Sequence, residues 1–140
     1  MKFSELTPDQ WASLQPYLDT AVLPVTGLAG SEMPFEATEA LESLRDVLDV
    51  LEIPFKGRIV TYPACHYCQW DEPGAKQIDN LCTSLKEAGF RHVIVVTAFP
   101  VAAEEAVKSS ADLVIGMTAA GEPPTAEEVS RQVRELWLTK

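Results

Sequence analysis

Apolar residues in this chain follow two patterns, and the two alternate along its length. Four short apolar runs read as strands: Ala21 to Thr26, Lys56 to Tyr62, Arg91 to Thr97 and Leu113 to Met117. They are rich in β-branched and aromatic residues, which suit a pleated and buried surface. Between them apolar positions recur every three or four residues, the period of a helix with one buried face. The clearest such stretch is Thr38 to Glu52, where Leu41, Leu44, Leu48 and Leu51 form a stripe beside Val47. A second opens at Asp71-Glu72-Pro73 and runs to about Ala88. It turns Ile78, Leu81, Cys82 and Leu85 inward, and Gly89 closes it. Thr125 and Glu128 form a capping-box pattern ahead of a last helix, with Val129, Val133, Leu136 and Trp137 on its apolar side. Two shorter helices are expected: one from Thr7-Pro8-Asp9-Gln10 to Pro16, with Trp11 and Leu14 inward, and one from Pro100 to Ser110.

The prolines refine these limits. Pro24 removes a ladder donor, so the first strand should be an edge strand or irregular at that point. Pro54 should stop the long helix. Pro34 and Phe35 should intervene between the glycine-bearing loop and that helix.

Strands that are apolar along their whole length, alternating with helices, argue a parallel sheet covered on both faces. The expected fold is a doubly wound, three-layer α/β unit with four parallel strands, flavodoxin-like or Rossmann-like, in the order 2-1-3-4. Nothing in the composition splits the chain, so residues 1–140 are read as a single domain. Ligands of such sheets bind beyond the carboxyl ends of the strands. Four loops should lie there: Gly27–Pro34, Ala64–Trp70, Ala98–Pro100 and Ala119–Pro124.

Composition adds compartment and charge. The chain is 46% hydrophobic and 23% charged, as in a globular protein. Its net charge of −10, from 11 basic and 21 acidic residues, opposes binding to nucleic acid or to an anionic membrane. The N-terminus lacks a signal peptide's apolar stretch, and no run approaches the roughly 20 residues of a spanning helix. Three cysteines without an export signal read as reduced thiols, which places the protein in the cytoplasm.

The reactive chemistry gathers in Cys65-His66-Tyr67-Cys68. A C-x-x-C can form a strained, reducible disulfide, with His66 as local cation or base. A thioredoxin-like site would begin a helix at its first cysteine, whereas Pro73 and Gly74 place the helix start later. No metal centre is expected, because a structural zinc needs four ligands and no second C-x-x-C or histidine pair exists. Gly27-Leu28-Ala29-Gly30-Ser31 has the position of a phosphate loop but neither nucleotide fingerprint. Ser31, Glu32 and His66 could mimic a nucleophile, acid and base, yet no G-x-S-x-G elbow is present. Thr26, Thr97 and Thr118 stand at strand ends, where they could meet a ligand or cap the strand. Tyr67 and Trp70 could line a pocket or a partner surface.

Two short segments carry a family resemblance. At Asp19-Thr20-Ala21-Val22-Leu23-Pro24, and at Phe55-Lys56-Gly57-Arg58 with Pro63 beyond, the chain resembles the YpiF family of uncharacterised Bacillus-type proteins. The resemblance implies a cytoplasmic bacterial protein from a Gram-positive, spore-forming lineage. It carries over no function and no catalytic residues, and it leaves any cofactor open.

The expected function is therefore non-catalytic binding of a protein partner or small ligand at the carboxyl ends of the strands. The candidate contacts are Thr26, Gly30, Ser31, Glu32, Cys65, His66, Tyr67, Cys68, Thr97 and Thr118. The alternative is a thiol or small-molecule enzyme built on Cys65 and Cys68. A third expectation is a homodimer formed through a sheet edge or the Trp-bearing surface.

Overall fold

The computed structural model describes residues 1–102, 105 and 109–138. Its centre is one sheet of four parallel strands: β1 (Thr20–Val25), β2 (Ile59–Thr61), β3 (His92–Thr97) and β4 (Leu113–Ile115). Their order is β2-β1-β3-β4, the one expected by analogy with flavodoxin-like sheets. Every residue of β1, β2 and β3 is buried. That burial explains the absence of a polar alternation in these runs.

The helices are α1 (Pro8–Leu14), α2 (Pro34–Phe55), α3 (Glu72–Glu87) and α4 (Ala126–Leu138). The step from β1 to β2 moves one way across the sheet, and the step from β2 to β3 moves back. Right-handed crossovers must then put α2 and α3 on opposite faces. The side chains agree. Ile78 and Cys82 of α3 pack with Ala21, Leu23, Val25, Val93 and Val95 on one face. Leu44, Val47 and Leu51 of α2 and Val129 and Val133 of α4 pack with Val22, Ile94 and Val96 on the other. Fully burying one such aliphatic side chain contributes about 1.5–3 kcal/mol, so these two layers hold the sheet.

Four expectations need correction. β1 lies between β2 and β3, so Pro24 is in an inner strand rather than at an edge. The carbonyls of Val22 and Pro24 accept from Tyr62 and Cys65, so this side of β1 faces β2. β2 ends at Thr61, and the donor that Pro24 lacks falls beside the break before Cys65. The irregularity is on the neighbour, and it is what admits a proline here. Second, β2 is shorter than expected, because Lys56 to Arg58 form a turn. Third, α2 starts at Pro34, with Glu36 accepting from the Met33 amide at 2.9 Å, and it runs through Pro54 to Phe55. Proline suits the first helical position, and near the last turn it forfeits only one bond. Fourth, Leu41 is exposed rather than part of the stripe.

The Thr7 capping box and the left-handed Gly89 that ends α3 are as expected. The helix expected from Pro100 to Ser110 falls on residues 103, 104 and 106–108, outside the described residues. No helix among the described residues is long and apolar enough to cross a membrane.

Candidate functional site

The CHYC loop and the glycine-bearing loop are laced together. Cys65 forms an isolated parallel bridge with Val25. The Cys65 amide donates to the Pro24 carbonyl, and the Cys65 carbonyl accepts from Thr26 at 2.9 Å. His66 accepts from the Leu28 amide through its carbonyl, and its Nδ1 lies 2.9 Å from Thr26 Oγ1. The loop after β2 thus continues the ladder that Thr61 had broken. Thr26 and His66 are joined by it, while Tyr67 points to solvent.

The thiols are not arranged for nucleophilic work. Burial pushes the Cys65 thiol up, and it does the same to Cys68, aided by the neighbouring Cys65 and Asp71. Cys82 is pushed up to about 11, again chiefly by burial. Cys68 donates its S–H to the Gly74 carbonyl at 3.5 Å, a contact only the protonated thiol makes. α3 begins at Glu72, capped by Asp71, so its positive end is directed at Asp71 and not at a sulfur. A reactive cysteine needs the opposite conditions. All three thiols are free, and each should react with a thiol-specific disulfide reagent far more slowly in the native protein than in urea. Half-buried Cys65 should react first. Rapid native labelling of Cys65 and Cys68 as a pair would reverse this reading.

Nor is the glycine-bearing loop open to an anion. The Glu32 carboxylate accepts from the Ala29 amide at 2.7 Å and from Gly30 at 2.8 Å. These bonds, that to Ala29 foremost, hold Glu32 below the usual carboxylate range. A side chain of the protein therefore occupies the place that a phosphate would take in a nucleotide loop. Gly30 has φ +97°, which suits glycine, and Ser31 is exposed.

A cleft of about 620 Å³ opens between the carboxyl ends of β1 and β3. This is where the chain order reverses, the position that binds ligands in open α/β sheets. Thr26 and Gly27 come to it from β1, Ala98 to Val101 from β3, and Gln69, Trp70 and Asp71 from the loop before α3. Ala40 of α2 closes one side. Phe99 forms its inner wall by lying against Gly27, where a Cβ would sit 2.5 Å from the ring. Gly27 also has φ +82°, so both space and backbone call for glycine. Gln69 spans the two loops through Nε2 to the Gly27 carbonyl at 3.4 Å.

Of the ten residues singled out in the sequence, Thr26 lines this cleft. Tyr67 and Cys68 border a smaller hollow of about 240 Å³ beside it. Thr97 is buried and donates its hydroxyl to the Phe99 carbonyl, which fixes the wall from behind. Thr118 is exposed and closes a turn with Glu122. Three of the four expected loops meet at the cleft, and the loop from Ala119 to Pro124 is not among its walls. Phe99, Gln69 and Asp71 were not singled out. The one available signal was aromatic: Trp70 and Phe99 stand in two of the loops already placed at the strand ends.

The comparisons add a family. A family model described as "Protein of unknown function (DUF2487)" matches residues 9–117, from α1 to just past β4. No curated protein and no solved structure matches the chain.

Proposed function

The chain belongs to this DUF2487 family of proteins of unknown function, and on the geometry above we propose that it is a binding module that performs no catalysis. The whole chain acts as one α/β unit in the cytoplasm, and it takes a small ligand in the cleft between the ends of β1 and β3. The short motifs at Asp19–Pro24 and Phe55–Arg58 support the narrower YpiF-type assignment within this reading. The observation that carries the proposal is the cleft itself. It lies at the reversal of strand order, and its size falls in the range of about 300–1,000 Å³ typical of small-molecule sites. The raised thiols and the self-occupied glycine loop weigh against thiol chemistry and phosphate binding.

The test is a fragment screen read by amide and indole NMR shifts. Hits should converge on Thr26, Gly27, Trp70 and Phe99. Ala40→Trp, which fills the cleft from a helix surface, should abolish those shifts without lowering the melting temperature. Hits that instead gather at the groove between Trp11 and Tyr62, or that survive Ala40→Trp, would overturn the proposal.

A further inference from the structure

The walls of the cleft also select a charge. Its aromatic surfaces are Trp70 and Phe99, and its ionisable side chains among the described residues are Asp71 and Glu105, with no lysine or arginine. A second depression of about 530 Å³ adjoins it, and Trp70, Asp71 and Glu105 belong to both. Among the described residues it adds Glu72 and Asp79, and one cation, Lys76. In the neighbouring glycine-bearing loop, the Ala29 and Gly30 amides already hold the Glu32 carboxylate and offer no place to an anion. The net charge of −10 favours approach of a cation over that of an anion.

We propose that the cleft takes an organic cation, a small molecule with an ammonium group and a compact apolar portion. This rests on the reading of the cleft as a binding site. The ammonium group sits toward Asp71 and the face of Trp70, where ring and carboxylate attract it together. The apolar portion lies against Phe99 and Gly27. Thr26 and Gln69 supply the uncharged hydrogen-bonding groups that orient it.

The test compares three probes on the full chain by NMR titration: choline, its uncharged isostere 3,3-dimethylbutanol, and inorganic phosphate. Choline should move Thr26, Trp70 and Phe99, and should bind about tenfold more tightly than the isostere, the factor expected of one desolvated cation contact. Its affinity should fall as salt is raised. Asp71→Asn keeps the cap on α3, since asparagine caps as well as aspartate, but removes the charge. It should weaken choline about fivefold, the scale of a surface-to-buried charge contact, and leave the isostere unchanged. If the isostere binds at the cleft as tightly as choline, the charge inference fails while the cleft reading stands. Phosphate binding at the cleft would also overturn it. If none of the three moves a cleft residue, the inference falls, and the fragment screen above decides the cleft reading separately.

Discussion

Gly74→Ala should destabilise the protein by about 3 kcal/mol, an overpacking cost joined to a lost cap. For a chain of this size that is a drop of roughly 10 °C in melting temperature. The sign is the informative part. Glycine in a helix is about 1 kcal/mol worse than alanine, so the same change in an ordinary first turn would stabilise. Here an added Cβ would lie 1.7 Å from the Gln69 carbonyl oxygen and 2.8 Å from Asp71 Oδ1. Backbone cannot yield as a flexible side chain can. Either α3 or the segment from Cys68 to Asp71 must move. The move would break the Asp71 cap on the Gly74 amide, now 2.8 Å, and the Cys68 contact to the Gly74 carbonyl. Gln69, Trp70 and Asp71 would leave their places in the cleft wall, so ligand binding should fail together with stability. Gly57→Ala is the control. Nothing lies within 4 Å of its Cβ, and its change should stay within about 0.5 kcal/mol. A Gly74→Ala protein as stable as the parent would show that the loop does not rest on α3 in this way.

Gly74 also illustrates what a sequence can and cannot disclose. It was legible as a marker of where α3 begins, since glycine and proline punctuate a chain locally. Its contact with Gln69 was not legible, because no local pattern encodes the approach of two backbones. The same division runs through the fold. The buried strands and their parallel direction followed from apolar runs separated by helical periods, while their order came from analogy with flavodoxin-like sheets, and the structure has all three. Pro24 misled as an edge signal because its missing donor is excused by a gap in β2, a property of the neighbouring strand. Leu41 fits the helical period yet is exposed, which the period alone does not disclose.

At the strand ends, the meeting of the CHYC loop with the glycine-bearing loop followed from topology. The occupant of the loop amides did not. Glu32 was read as a candidate acid, and its carboxylate is instead an internal substitute for an anion. Phe99 was legible only as an aromatic in a strand-end loop, and its exact place was not. Its place depends on small residues distant in the chain: Gly27, and Gly116, whose Cβ would meet the Phe99 carbonyl at 2.7 Å.

Trp137→Ala should cost about 3 kcal/mol, the low end for removing a large aromatic side chain, because the ring is partly rather than fully buried. The ring joins four elements at the amino ends of the strands, away from the cleft. Phe55, at the end of α2, meets it edge-on at 5.0 Å, and the Arg58 guanidinium lies 4.0 Å over its face. Its Nε1 donates to Thr20 Oγ1 at 2.9 Å, and Thr20 donates in turn to Asp19. Arg58 closes the circuit with a two-pronged ion pair to Asp19, at 2.9 and 3.0 Å. The two short motifs that carry the family resemblance therefore meet in a structural network and not at the cleft. Trp137→Phe should cost about 1 kcal/mol, since it keeps the ring and loses the hydrogen bond to Thr20. Arg58→Ala should also cost about 1 kcal/mol, because the side chain is 38% exposed and water screens the pair. If the parts act as a unit, the Arg58→Ala and Trp137→Ala losses should fall short of their sum by about 1 kcal/mol. Acid gives an independent reading. Burial pulls Asp19 upward, but the hydrogen bonds from Arg58 and Thr20 prevail and hold it below its ordinary value of 3.8. A carboxylate lowered by folding contributes stability above its unfolded value and loses it as pH falls through the folded one. The gap in urea midpoint between parent and Arg58→Ala should therefore be constant near neutrality and close below about pH 3.8. A gap that persists into acid would assign the effect to lost packing on Trp137 alone.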